Sequence, residues 1–193
     1  MLVKKSRWVD ADKYGYEVED VIAFKLTDGE KIQAMAVQQE SDGMLFCSID
    51  CLFGEYSMNE TDACAGGYAA STLRRKLNAE VFDRFPAEIK ANLVPFENGD
   101  LLRLPTEREI FGENIHGNYE DPSCVSQWRP MKKRRNRIAF QGNGGAEEWC
   151  WLQSQCRNSN REFVIVNVYG DSRWCTGSDV FGIRPVFKLK HVV

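Results

Sequence analysis

Residues 149–187 read WCWLQSQCRNSNREFVIVNVYGDSRWCTGSDVFGIRPVF, and two kinds of position are interleaved in that stretch. Trp149 and Trp151 stand two apart, Phe163-Val164-Ile165-Val166 is a run of aromatic and β-branched residues, and Ile183 to Phe187 closes the stretch with another apolar set. A period of two and short β-branched runs mark strands. Strands are therefore expected over 149–152, 163–168 and 183–189, with a turn at Tyr169-Gly170-Asp171-Ser172. Pro185 has no amide hydrogen for a ladder, so the last strand is expected at a sheet edge or with a bulge. Trp149, Trp151, Leu152, Phe163, Val166 and Phe187 are the core candidates, and Gly170 and Gly182 are expected to supply turn conformations. Arg184, alone in an apolar strand, is expected to pair with a carboxylate or to cap loop carbonyls. Arg157, Arg161, Tyr169, Arg173 and Trp174 follow neither period. Arg, Tyr and Trp are the residue types that anchor interfaces, so the frame reads as scaffold and its filling as a recognition surface.

The chain upstream changes character twice. Residues 21–26 (VIAFKL) and 32–38 (IQAMAVQ) flank Thr27-Asp28-Gly29-Glu30, a strong hairpin signal, and 44–49 (MLFCSI) adds a third strand. Helical spacing follows. Ser71 caps 72–77, where Leu73 and Leu77 are four apart, 79–85 continues the pattern, and Pro86 opens a further short helix over 87–93. A short strand is expected at 101–104. Thr106 and Glu109 form a capping box that starts a helix of one or two turns at Glu107, ended by Gly112. No period of 20 to 50 residues recurs, which excludes repeat architectures. The expected class is α+β, with small antiparallel sheets, two or three short helices and long irregular loops.

With 193 residues the chain is long enough for one domain that buries roughly 70% of its unfolded surface. Its 43% hydrophobic and 27% charged residues are ordinary for a soluble globular protein, and a net charge of -3 gives no global attraction to nucleic acid or anionic membranes. Lys132 to Arg137 holds five basic residues in six, but no aromatics are interleaved with it and the acidic excess elsewhere can pair with it. It reads as solvated surface leading into a strand at 137–140, not as a nucleic-acid site. There is no apolar run of about 18 residues, and the basic N-terminus lacks an apolar h-region. Synthesis in the cytoplasm is expected, without Sec-type export or membrane insertion, and display on a virion or cell surface stays open.

Seven cysteines, Cys47, Cys51, Cys64, Cys124, Cys150, Cys156 and Cys175, are an odd set with irregular spacing, against a disulfide framework. Cys47-x3-Cys51 has no second pair, and His116 and His191 are the only histidines, so no zinc site is expected. Free buried thiols are the expectation. No Ser-His-acid set, Gly-rich phosphate loop or His-Glu-x-x-His pattern occurs. Cys156 and Cys175 have arginine neighbours but no nearby histidine to act as base. The reading is of a protein with no catalytic residues, no metal and no cofactor.

Gly66-Gly67-Tyr68 with Ser71-x-Leu73-Arg74, then GDLLRLPTEREIFG (99–112), RRNRIAFQG (134–142), EWCWLQS (148–154) and FGIRPVF (181–187), carry a likeness to known proteins. Over about residues 45–190 the chain resembles a bacterial and phage family of C-type-lectin-like fold. That family belongs to the group holding the formylglycine-generating enzymes and the variable proteins of diversity-generating retroelements. The resemblance implies a C-type-lectin-like domain at 45–193, preceded by an N-terminal β-hairpin extension at 1–44. In the retroelement proteins, asparagine codons are rewritten into codons for many residues. This implies variable, ligand-binding positions at Cys150, Ser154, Cys156, Arg157, Asn160, Arg161, Ile165, Val168, Tyr169, Asp171, Arg173 and Cys175. Trp174, like Gln153, Gln155 and Glu162, is not reachable from an asparagine codon, and it joins the site as a fixed aromatic anchor. The implied function is non-catalytic recognition of a protein or cell-surface ligand through residues 150–180, with oligomerisation compatible. The alternatives are a virion or cell-surface assembly component, or an enzyme of the formylglycine-generating type. Calcium-dependent lectins use Glu-Pro-Asn or Gln-Pro-Asp with Trp-Asn-Asp. None of these strings occurs, and Glu120-Asp121-Pro122 is a departure that speaks against calcium.

Overall fold

A computed structural model describes residues 2–4, 8–10, 15–118, 126–142 and 144–191. Glu120-Asp121-Pro122, Cys124 and Asn143 lie outside the described residues. The strands in chain order are β1 (Leu2–Lys4), β2 (Trp8–Asp10), β3 (Val21–Lys25), β4 (Lys31–Gln39), β5 (Gly43–Ser48), β6 (Tyr56–Ser57) and β7 (Leu93–Val94). They continue with β8 (Ala139–Phe140), β9 (Glu147–Glu148), β10 (Cys150–Gln155), β11 (Glu162–Val166), β12 (Ser172–Thr176), β13 (Val180–Phe181) and β14 (Val186–Lys190). The fold is α+β: sheet-rich, with short helices and antiparallel strand pairing throughout its sheets.

The large sheet runs β2-β1-β3-β4-β5-β14-β7, and a second sheet runs β10-β11-β12. Asp28-Gly29 makes the β3–β4 turn as its sequence predicts, with Gly29 at φ 91. Successive side chains of a strand point to opposite faces, and β5, β14, β10 and β11 are buried on both, whereas β3 alternates buried and exposed residues. Met44, Phe46, Phe187, Leu189, Trp151, Phe163 and Ile165 enter one core, and Leu45, Cys47, Val186, Leu152, Val164 and Val166 enter another. Leu73, Leu77, Val81, Phe85 and Ile89 cover the first core, and Ile110, Trp128 and Met131 cover the second.

Ser71 Oγ accepts from Arg74 N at 3.1 Å, capping the helix Thr72–Lys76, which runs on through a π-helical turn at Leu77–Val81. Pro86 is the N-cap of the helix Ala87–Lys90, not its first residue, with ψ 153. The strand expected at 101–104 shrinks to one bridge between Arg103 and Val186. Asn78 Oδ1 accepts from the amides of Leu101 and Leu102 at 2.8 and 3.0 Å, and a side chain thereby replaces a ladder. The capping box is formed in full: Thr106 Oγ1 accepts from Glu109 N and Glu109 Oε2 accepts from Thr106 N, and Gly112 at φ 87 ends the helix Glu107–Phe111.

One expectation is corrected. β14 is a central strand, between β5 and β7, not an edge. Pro185 precedes it, so its missing amide hydrogen falls outside the ladder, while its carbonyl accepts from Ser48 N at 3.0 Å. Residues 21–39 share a sheet and a core with the chain that follows. β4 pairs along β5 from Ala34 to Gln39, and Phe24 meets Phe187 edge-on at 6.0 Å. Among the described residues no helix is long and apolar enough to cross a membrane.

Candidate functional site

β11 is the middle strand of its sheet, and its side chains from Phe163 to Val166 are buried in the two cores. Among the described residues β12 pairs only with β11, in the register Val164 to Trp174 and Ile165 to Arg173. This outer strand carries Arg173 and Trp174 into solvent. The turn that feeds it is built by Asn167, whose Oδ1 accepts from the amides of Tyr169 and Asp171 at 2.9 Å each. Gly170 at φ 74 completes that turn, in a backbone region that side chains disfavour. Tyr169 is left 64% exposed at the hairpin tip, and Trp174 is 52% exposed along the strand.

The basic run lies directly behind this tip. Arg134 Nε donates to Tyr169 O at 2.6 Å, Arg137 Nε donates to Gly170 O at 2.9 Å, and Arg134 pairs with Asp171 at 3.6 Å. Lys133 bonds Glu19 at 2.9 Å, which outweighs the effect of burial and holds that carboxyl below its usual range. Arg134 and Arg135 remain exposed. One aromatic residue, Tyr169, is thus brought beside the basic run by a turn 35 positions away.

The proposed site residues do not form one face. Cys150, Ser154, Cys156 and Ile165 are buried. The reason is packing: Ile165 belongs to the first core, Cys156 to the second, Cys150 sits against Cys51 and Ala139, and Ser154 Oγ accepts from Glu107 N at 2.9 Å. Arg157 commits its guanidinium to the carbonyls of Asn114, Ile115 and Gly117, so it holds a loop in place. Asn160 and Arg161 are exposed, at the other end of β11 from Tyr169, and Arg161 pairs with Asp62 at 3.0 Å. Val168, Asp171 and Cys175 are half-buried. Tyr169, Asp171, Arg173 and Trp174 lie on the hairpin, with Arg173 and Trp174 on opposite faces of β12.

In the frame, Trp151 is fully buried, and its Nε1 donates to Tyr56 O at 2.7 Å. Trp149 is not core: it is partly exposed and stacks on Phe181 at 5.4 Å, the ring that Trp151 meets edge-on. Gly182 supplies close approach and not a turn, since a Cβ there would lie 2.5 Å from Cys51 Sγ. Arg184 caps carbonyls as expected, those of Ser48, Asn136 and Arg137.

Sequence reasoning missed Glu107. Its carboxylate is fully buried and accepts from His116 N, from Gly117 N at 2.7 Å and from Ser172 Oγ. It ties the capped helix to the 116–117 loop and to the start of β12. The capping box locates the helix, but no local signal marks a partner 65 positions on.

Burial pushes the Cys156 thiol up to about 12, with Glu162 and Glu107 adding to the rise, and Cys175 up to about 11. Neither is a poised thiolate at neutral pH. Among the described residues no three His, Cys, Asp or Glu side chains converge to hold a metal. No known protein family, no characterised protein and no solved structure matches this chain.

Proposed function

We propose that this chain is a non-catalytic recognition protein of C-type-lectin-like fold, which grips an acidic patch on a protein or cell-surface ligand with the β11–β12 hairpin. The observation that carries the reading is the pair of large aromatics, Tyr169 and Trp174, exposed on a hairpin braced from behind by Asn167, Arg134, Arg137 and Glu107. Aromatic anchors held rigid before binding lose little entropy on contact. The adjoining Arg134, Arg135 and Arg173 supply positive charge to a protein that is negative as a whole. Cys156 and Cys175, the two thiols within the 150–180 segment that burial raises, are not poised to attack a bound ligand. The lectin-like assignment draws support from β14, which returns late in the chain to pair with β5, while the intervening chain supplies the smaller sheets and loops.

If the chain is a diversified variable protein, the freely variable positions are Asn160, Arg161, Val168, Tyr169, Asp171, Arg173 and Cys175. Substitution at Cys150 or Ile165 would disturb a core.

The test uses a glutamate–tyrosine copolymer as probe and the variant Tyr169→Ala/Arg173→Ala/Trp174→Ala. Binding followed by anisotropy is expected to weaken at least about tenfold in the variant and to fall with added salt, with thermal stability retained. Equal binding by both proteins would reject the proposal. The assembly reading has one observation of its own, the edge of β12, which is unpaired among the described residues. A solution dimer that shields Trp174 from quenchers would assign the hairpin to assembly.

A further inference from the structure

Cys51 Sγ and Cys150 Sγ stand 2.9 Å apart, both buried, although 99 positions separate them in sequence. That is within about 0.9 Å of a covalent sulfur–sulfur bond. Three features bring them together. Cys51 bridges Gln141 and Cys150 bridges Gly182, which fixes both backbones. Gly182 clears the space, because any Cβ there would overlap the Cys51 side chain. Ala139 closes a small apolar cluster that these two cysteines otherwise fill alone. Burial raises the Cys51 thiol well above its usual value, and the buried guanidinium of Arg184 acts in the opposite sense. Cys47 donates to Ser48 O, Cys64 to Asp62 O and Cys150 to Glu148 O at 3.7 Å, but among the described residues only Cys51 and Cys150 face each other sulfur to sulfur.

We propose that Cys51 and Cys150 are a dithiol–disulfide pair, oxidised by exchange with a low-molecular-weight disulfide. One protein thiol loses its proton and attacks the small disulfide, forming a mixed disulfide and releasing one small thiolate, which takes up a proton. The second protein thiol, deprotonated in turn, attacks the protein sulfur of the mixed disulfide and releases the second small thiol. Two protein S–H groups are oxidised and one small disulfide is reduced to two thiols. Cys51 follows β5 of the large sheet and Cys150 opens β10 of the three-stranded sheet, so the bond staples the hairpin-bearing sheet to the large one.

The full chain is equilibrated across mixtures of reduced and oxidised glutathione, then denatured and alkylated. Oxidation is expected to leave five alkylatable thiols of the original seven and one linked peptide pair joining Cys51 to Cys150. It is also expected to raise Tm by on the order of 5–15 °C, since a long loop is closed. Cys47→Ser is expected to oxidise as wild type does, and Cys51→Ser not to. Seven free thiols at the oxidising limit, a link to any other cysteine, or a stable glutathione adduct without the link would overturn the proposal. Peptide mapping of the wild-type chain decides the matter even if a serine variant fails to fold.

Discussion

Replacing Glu107 by alanine removes the acceptor of three donors at once: the amides of His116 and Gly117 and the hydroxyl of Ser172. The carboxylate is fully buried, so water cannot take its place without the site opening. Each buried donor left unpaired costs about 1–3 kcal/mol, while removing the charge relieves part of its desolvation penalty. A net loss of about 3–5 kcal/mol is expected, a large share of the roughly 5–15 kcal/mol that stabilises a typical domain. Glu107→Gln keeps the volume and one carbonyl oxygen but turns amide hydrogens toward the other donors, and about 1–3 kcal/mol is expected. Ser172→Ala removes a single bond, about 1 kcal/mol. Urea unfolding followed by tryptophan fluorescence measures all three, and the double variant supplies the internal check. The Ser172 hydroxyl is already orphaned in Glu107→Ala, so adding Ser172→Ala is expected to cost nothing more. A Glu107→Ala protein within about 0.5 kcal/mol of wild type, or strict additivity in the double variant, would refute the reasoning.

Arg157→Ala is expected to cost about 1–3 kcal/mol, because the carbonyls of 114, 115 and 117 lose a charged donor, whereas Arg173→Ala is expected to stay within about 0.5 kcal/mol; equal effects in urea unfolding would contradict their different placements. Lys188 is raised above its ordinary 10.5, because Asp42 and Glu40 outweigh the lowering effect of burial. A raised ammonium contributes stability fully below its unfolded value and loses it as pH climbs through the folded one. The stability gap between wild type and Lys188→Met is therefore expected to be flat between about pH 6 and 9 and to close above about 10.5, and a gap that widens on alkalisation would reject the ion pair.

What was legible in the sequence is what local rules govern. Asp28-Gly29 placed a hairpin, Ser71 and Thr106 placed helix starts, and the run at Phe163 placed β11, because each signal acts within a few residues. Tyr169, Arg173 and Trp174 were legible as surface because they break the apolar period of their strands. Arg157 and Ser154 look just as exposed in sequence, yet their partners are loop carbonyls about 40 positions back and the amide of Glu107, 47 back. The same holds for Arg134 behind Tyr169 and for Cys51 against Cys150. The central place of β14 was hidden for a related reason: strand order depends on which elements cover both faces, and Pro185 pointed to an edge that its position outside the ladder makes unnecessary.

β11 sends Phe163 and Ile165 one way and Val164 and Val166 the other, into different cores. Adding or deleting a single residue inside it would exchange the two sets, forcing large side chains into spaces shaped for others. The hairpin is therefore tolerant of a changed alphabet and intolerant of a changed length. New contact surfaces can arise at Tyr169 or Arg173 by replacement alone, with the spacing between the strands inherited unaltered.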